Sequence, residues 1–138
     1  MDAANLIPKL CQSSIPHQMA MHVIKALGGH FEVGAPASAQ GGTHINYFQW
    51  EDGTLVTDQK QILSVGALIS YCNRHNIFYI LCTAPDDPNK TTAYVKDFNI
   101  AKDARKTGVS PAGALAAALI SLKTRNVIPL NGVSNAVS

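Results

Sequence analysis

The run from Ser110 to Leu122, SPAGALAAALISL, limits the fold more than any other stretch of the chain. Ser110 can cap a helix, and Pro111 suits the first helical position, where a missing backbone N–H costs nothing. Leu115, Ala118, Leu119 and Leu122 then fall on one apolar stripe. Lys123 and Arg125 follow where the helix dipole is negative. The alanines keep the helix thin, so it can lie close against a sheet. From Ala112 to Leu122 the apolar stretch is shorter than the about 20 residues a membrane-spanning helix needs.

Other helices announce themselves in the same way. A short helix is expected over about Ala3–Cys11, with Pro8 near an end or at a kink. Ser13 or Ser14 can cap a second, with Pro16 in its first turn. Its stripe is Ala20, Val23, Ile24 and Leu27, and Gly28-Gly29 ends it. Asp58 is the expected cap of a third helix, with Gln61 completing a capping box. Ile62, Val65, Ile69 and Cys72 make its stripe, Leu63, Ala67 and Tyr71 widen it, and Asn73 or Asn76 would stop it.

Strands are expected at His30–Val33, Thr43–Trp50, after Gly53, at Phe78–Thr83 and at Thr91–Phe98. Between the first two, residues 34–42 (GAPASAQGG) read as a loop and as the best candidate for a mobile segment. Asp52-Gly53 reads as a two-residue hairpin turn, which would set Trp50 opposite Leu55 and Phe48 opposite Thr57. Phe78–Thr83, FYILCT, has the composition of a strand buried on both faces and is therefore expected at the centre of a sheet. Residues 84–90 read as a turn-rich loop and 99–109 as a polar, basic connector. The expected fold is α+β: a mixed or antiparallel sheet of four to five strands covered by helices in two layers, in the order ααβββαββα. The chain is expected to form a single domain, 1–138, with 130–138 as a frayed tail.

Composition narrows the functional classes. Apolar residues make up 46% and charged residues 14% of the chain, against about 25% charged in an average soluble domain. Such a chain can bury a core, which argues against a disordered chain, and it leaves uncharged surface for self-association. Three cysteines, Cys11, Cys72 and Cys82, with no leader-like N-terminus, point to free thiols in a cytoplasmic protein. The charge is uneven. Residues 1–87 carry four Lys or Arg against seven Asp or Glu, whereas residues 88–138 carry seven against two.

The basic half holds Lys90, Lys96, Lys102, Arg105, Lys106, Lys123 and Arg125, and Tyr94 and Phe98 alternate with Lys96. Aromatics interleaved with cations suit a nucleic-acid strand, because bases stack while phosphates pair. A binding set of Gln40, Gly41, Gly42, His44, Tyr47, Lys96, Arg105 and Lys106 follows from this segment and from the 34–42 loop. A small metal-dependent nuclease or hydrolase would draw on His44, Asp86, Asp87 and Lys96, but Tyr94 stands where a second acid is wanted, two residues before Lys96. Cys72, His75 and Cys82 offer three ligands and no fourth, so no metal is expected. No cofactor motif is present. No nucleophile sits in a Gly-x-Ser-x-Gly turn, and buried cysteines behave as small hydrophobes.

The sequence thus favours a non-enzymatic binding or regulatory domain, of the size of a small phage or mobile-element accessory protein, acting by protein contact, self-association or ligand sequestration. Nucleic-acid binding through the basic half stands second, and the enzyme third. No membrane partner is expected.

Overall fold

A computed structural model describes residues 3–13, 16–34, 45–57 and 59–126. The expected caps Ser14 and Asp58, the 35–44 part of the small-residue loop and the tail from 127 lie outside the described residues. The described fold is α+β, with two three-stranded antiparallel sheets. Helix α1 (Ala3–Gln12), a 3-10 turn (Pro16–Met19) and α2 (Ala20–Ala26) lead into β1 (His30–Gly34), β2 (Ile45–Gln49) and β3 (Leu55–Val56). Helices α3 (Gln59–Ile62) and α4 (Val65–Arg74) follow, then β4 (Ile77–Ala84), β5 (Asp87–Asp97), β6 (Lys102–Gly108) and α5 (Pro111–Asn126). The expected single sheet of four to five strands is thus two sheets of three, ordered β1-β2-β3 and β4-β5-β6.

Helix α5 lies at the centre. Ser110 caps it as expected, its hydroxyl accepting from the Gly113 N–H at 3.0 Å. Every residue from Gly113 to Ile120 is buried, so the helix is covered on all sides rather than along one stripe. One flank packs on β5 and β6 and another on α1. Gly113 permits the second contact: a Cβ there would lie 2.4 Å from the Leu10 carbonyl oxygen. Ala93, Val95, Ala104 and Gly108 face the other flank from β5 and β6, and small side chains let helix and sheet approach. The last turn of α1 is tied down by the Val109 N–H, which donates to the Cys11 carbonyl at 2.9 Å. Helix α2 buries its expected stripe of Ala20, Val23, Ile24 and Leu27, and Gly28 ends it at φ +98°.

Five more sequence expectations need correction. The third helix is broken: Ser64, not Asp58, caps the long segment, its hydroxyl accepting from the Ala67 N–H at 3.1 Å and donating to the Gln61 carbonyl at 2.9 Å. The Asp52-Gly53 hairpin has a three-residue loop. Gly53 alone takes positive φ there (+93°), and the Trp50 N–H donates to the Thr54 carbonyl at 2.9 Å. The register slips by one, to Phe48 opposite Val56 and Gln49 opposite Leu55. Asp52 stabilises this turn instead, its Oδ1 accepting from the Thr54 N–H at 3.0 Å.

The other three corrections bear on function. Strand β4 is an edge strand, not the central one, and it is buried on one face only. Ile77 is buried with Tyr79 and Leu81 half-buried beside it, while Phe78, Ile80 and Cys82 are exposed. The 99–109 connector is largely strand β6, hidden from pattern reading because its inward positions are only Ala104, Lys106 and Gly108. Within the expected 84–90 loop, Pro85-Asp86 form the turn between β4 and β5, and residues 88–90 bulge from β5 between the Ala84–Asp87 and Thr83–Thr91 pairs.

Candidate nucleic-acid interface

The outward face of β4–β6 is set by strict alternation. Phe78, Ile80 and Cys82 project from β4 opposite Lys96, Tyr94 and Thr92 of β5. Those three stand opposite Asp103, Arg105 and Thr107 of β6. No described helix covers this face, and Phe78, Ile80 and Phe98 expose 44%, 43% and 63% of their surface, which for large apolar side chains is unusual. Phe98 extends the row just past the end of β5, in the turn.

The rings form one connected group. The Phe78 ring meets Tyr94 edge-on at 6.4 Å and Phe98 at 6.1 Å. Lys96 holds its ammonium 5.3 Å from the Phe98 ring, and the Arg105 guanidinium lies 5.9 Å from the Tyr94 ring. Tyr94 donates its hydroxyl to Asp103 Oδ2 at 3.0 Å. Partial desolvation and that hydrogen bond hold the hydroxyl above the usual phenol range, so it stays a donor. Thr92 and Thr107 share a hydroxyl hydrogen bond at 2.8 Å. Ile80, Cys82, Thr92, Tyr94, Asp103 and Arg105 line a shallow depression of about 490 Å³.

Of the residues singled out by sequence, Lys96 and Arg105 meet on this face, with Tyr94 between them. Lys106 does not join them. It sits half-buried on the helix side of β6, near Cys11, whose thiol is pushed up by burial and eased back by the lysine charge. Tyr47 is half-buried on β2, in the other sheet. Gln40, Gly41, Gly42 and His44 lie outside the described residues.

The nuclease set does not gather. Asp86 and Asp87 sit at the β4–β5 turn, and Lys96 lies well down the ladder: Asp87 stands opposite Ala84 and Lys96 opposite Phe78, on the order of 20 Å apart at the rise of a strand. Asp87 instead pairs with Lys90 at 3.9 Å. The thiols divide likewise: Cys82 is on the open face, while Cys72 is in the core, where burial pushes its thiol up to about 12. Among the described residues no group of three His, Cys, Asp or Glu could hold a metal ion.

One polar cluster escaped the sequence reading. Glu51, in the hairpin loop, accepts from Arg74 Nε at 2.8 Å and Nη2 at 2.9 Å, and its Oε2 lies 2.5 Å from His75 Nε2. Arg74 also reaches Asp52 at 3.3 Å and covers the Trp50 and Tyr71 rings. Burial works against the Glu51 charge, but the Arg74 and His75 hydrogen bonds outweigh it and lower the carboxyl below its usual range. The cluster staples the hairpin of one sheet to the end of α4. Nothing in the sequence brings residues 51 and 74 together except the fold.

No family model matches the chain, and no curated protein or solved structure is significantly similar to it. No helix of the described residues is long and apolar enough to cross a membrane.

Proposed function

We propose that this chain is a non-enzymatic binding domain whose open β4–β6 face stacks the bases of a single-stranded nucleic acid. The observation that carries the reading is the joined Phe78–Tyr94–Phe98 group with Lys96 and Arg105 at its sides. Rings supply stacking surfaces for unpaired bases at about 1–3 kcal/mol each, and the two cations can meet phosphates on either flank. Asp103 is occupied by Tyr94, which tempers its repulsion of a polyanion.

Size favours this occupant over a second copy of the chain. The face is about 10 Å between its outer strands and about 20 Å along β5, room for two or three bases. A stable protein pair buries about 800 Å² on each partner, well beyond that area.

The test is a fluorescence titration with labelled single-stranded oligonucleotides at rising salt. Binding should weaken steeply with salt. Phe78→Ala and Tyr94→Ala should each lower affinity by roughly tenfold or more. Arg105→Gln should lower it for all sequences, and Lys106→Gln should not, because the two side chains leave β6 on opposite faces. Absence of binding at low salt, or a chain that sediments as a dimer broken by Phe78→Ala, would overturn the reading.

A further inference from the structure

A second cleft lies away from the sheet face. Ala3 of α1, His22, Lys25 and Ala26 of α2, and Ile120, Lys123 and Thr124 of α5 enclose about 400 Å³, within the range of about 300–1,000 Å³ that small-ligand sites occupy. Three of these residues carry basic nitrogen, and no described acidic residue lines the cleft. Among the described residues none of His22, Lys25 and Lys123 forms an ion pair, although acidic partners hold Arg74, His75 and Lys90 elsewhere. The rest of the wall is Ala3, Ala26 and Ile120, whose low polarizability strengthens any charge interaction at its edge. Thr124 gives its hydroxyl proton to the Ile120 carbonyl at 2.9 Å and so offers no donor to an anion, which leaves the donors of the cleft to His22, Lys25 and Lys123. The ends of α2 and α5 account for some basic residues by their dipoles, but one cation per helix end answers that need, and here three converge.

We propose that this cleft binds a phosphate group, either free, carried on a small molecule, or at the end of a nucleic-acid strand. His22, Lys25 and Lys123 hold the oxygens, and the Ala3–Ala26–Ile120 wall receives the group that bears the phosphate. Lys123 also borders a neighbouring crevice lined by Tyr71, His75, Asp97 and Asn99. The proposal does not depend on the sheet-face reading.

The experiment is a titration of the full chain with inorganic phosphate at constant ionic strength, followed by amide and imidazole NMR shifts. Saturating changes in the millimolar range, confined to residues 22–26 and 120–124, are expected. The Lys25→Gln/Lys123→Gln double variant should bind at least tenfold more weakly, with an unchanged far-ultraviolet spectrum, since neither lysine is buried. Tyr94→Ala should bind phosphate as the parent does. A 5′-phosphorylated oligonucleotide that shifts 22–26 where its unphosphorylated twin does not assigns the phosphate to a strand end. Shifts from glycerol phosphate, with the two oligonucleotides alike, assign it to a small molecule. Non-saturating shifts spread over the chain, or a double variant that titrates like the parent, would overturn the proposal.

Discussion

The two sheets have the same strand number and the same antiparallel pairing, yet most of their aromatic residues turn in opposite directions. In β1–β3 Phe48 and the adjoining Trp50 are buried and Phe31 meets Phe48 at a tilt, 4.9 Å between ring centres, while Tyr47 is half-buried on the other side. In β4–β6 Phe78, Tyr94 and Phe98 face outward and Tyr79 turns toward the core. The difference follows from what covers each sheet. The first has only short helices against it and must supply bulk from its own strands. The second is covered by α5, whose Leu115, Leu119 and Leu122 already fill the interface, so its inward positions are Ala93, Val95, Ala104 and Gly108. The close-lying helix leaves little room for bulk on the inward positions of β5 and β6, and an exposed aromatic face that folding does not need is what makes the outer face a candidate for binding.

The comparison breaks if truncating rings costs the same in both sheets. Trp50→Ala should destabilise the chain by about 3–5 kcal/mol in urea denaturation, because a buried indole leaves a cavity beside Tyr71. A loss under about 1 kcal/mol would show that β1–β3 is not part of the cooperative core. Next in size is Gly113→Ala, which tests the α5 layer. The added methyl would press on the Leu10 carbonyl, so α1 must shift, at about 1–3 kcal/mol. Thermal melting that leaves this variant at the parent temperature would refute the close α1–α5 approach.

Glu51→Gln probes the staple between the hairpin and α4, with an expected loss of about 1–2 kcal/mol near neutral pH. The sign with pH is fixed by direction. The folded Glu51 carboxyl is lowered, so its contribution is present above the unfolded value of about 4.3 and is lost as pH falls through the folded one. Parent and variant stabilities should converge in acid, and curves that stay parallel would exclude Glu51 as the cause. The smallest effect is Phe78→Ala, about 1 kcal/mol or less in stability because 44% of the residue stays exposed and its ring contacts lie on the open face. A cost of several kcal/mol there would mean that the ring belongs to the core, and the face would lose its standing as a binding surface.

Local signals carried much of this fold. The capped α5, the α2 stripe ended by Gly28 and the α+β class were legible because helix caps, glycine stops and period-3.6 apolar spacing act within a few residues. The alternation of Tyr94, Lys96 and Phe98 already placed three of the face residues on one side. Phe78 and Ile80 were misread, because an unbroken apolar run looks the same whether its second face meets a helix or water. Only the neighbours of β4 distinguish the two cases.

The sequence by itself determined the helices that carry caps, glycine stops and apolar stripes, most of the strands, and which residues of each share a side, since these depend on backbone stereochemistry and nearby spacing. Tertiary structure decided the rest. The choice of a three-residue hairpin loop set the register of Phe48, the meeting of Glu51 with Arg74 and His75 joined positions far apart in the chain, and the placement of α5 on one face of β4–β6 left the other uncovered. Each depends on which surfaces are already filled when an element docks, and that is a property of the packed chain rather than of any stretch of it.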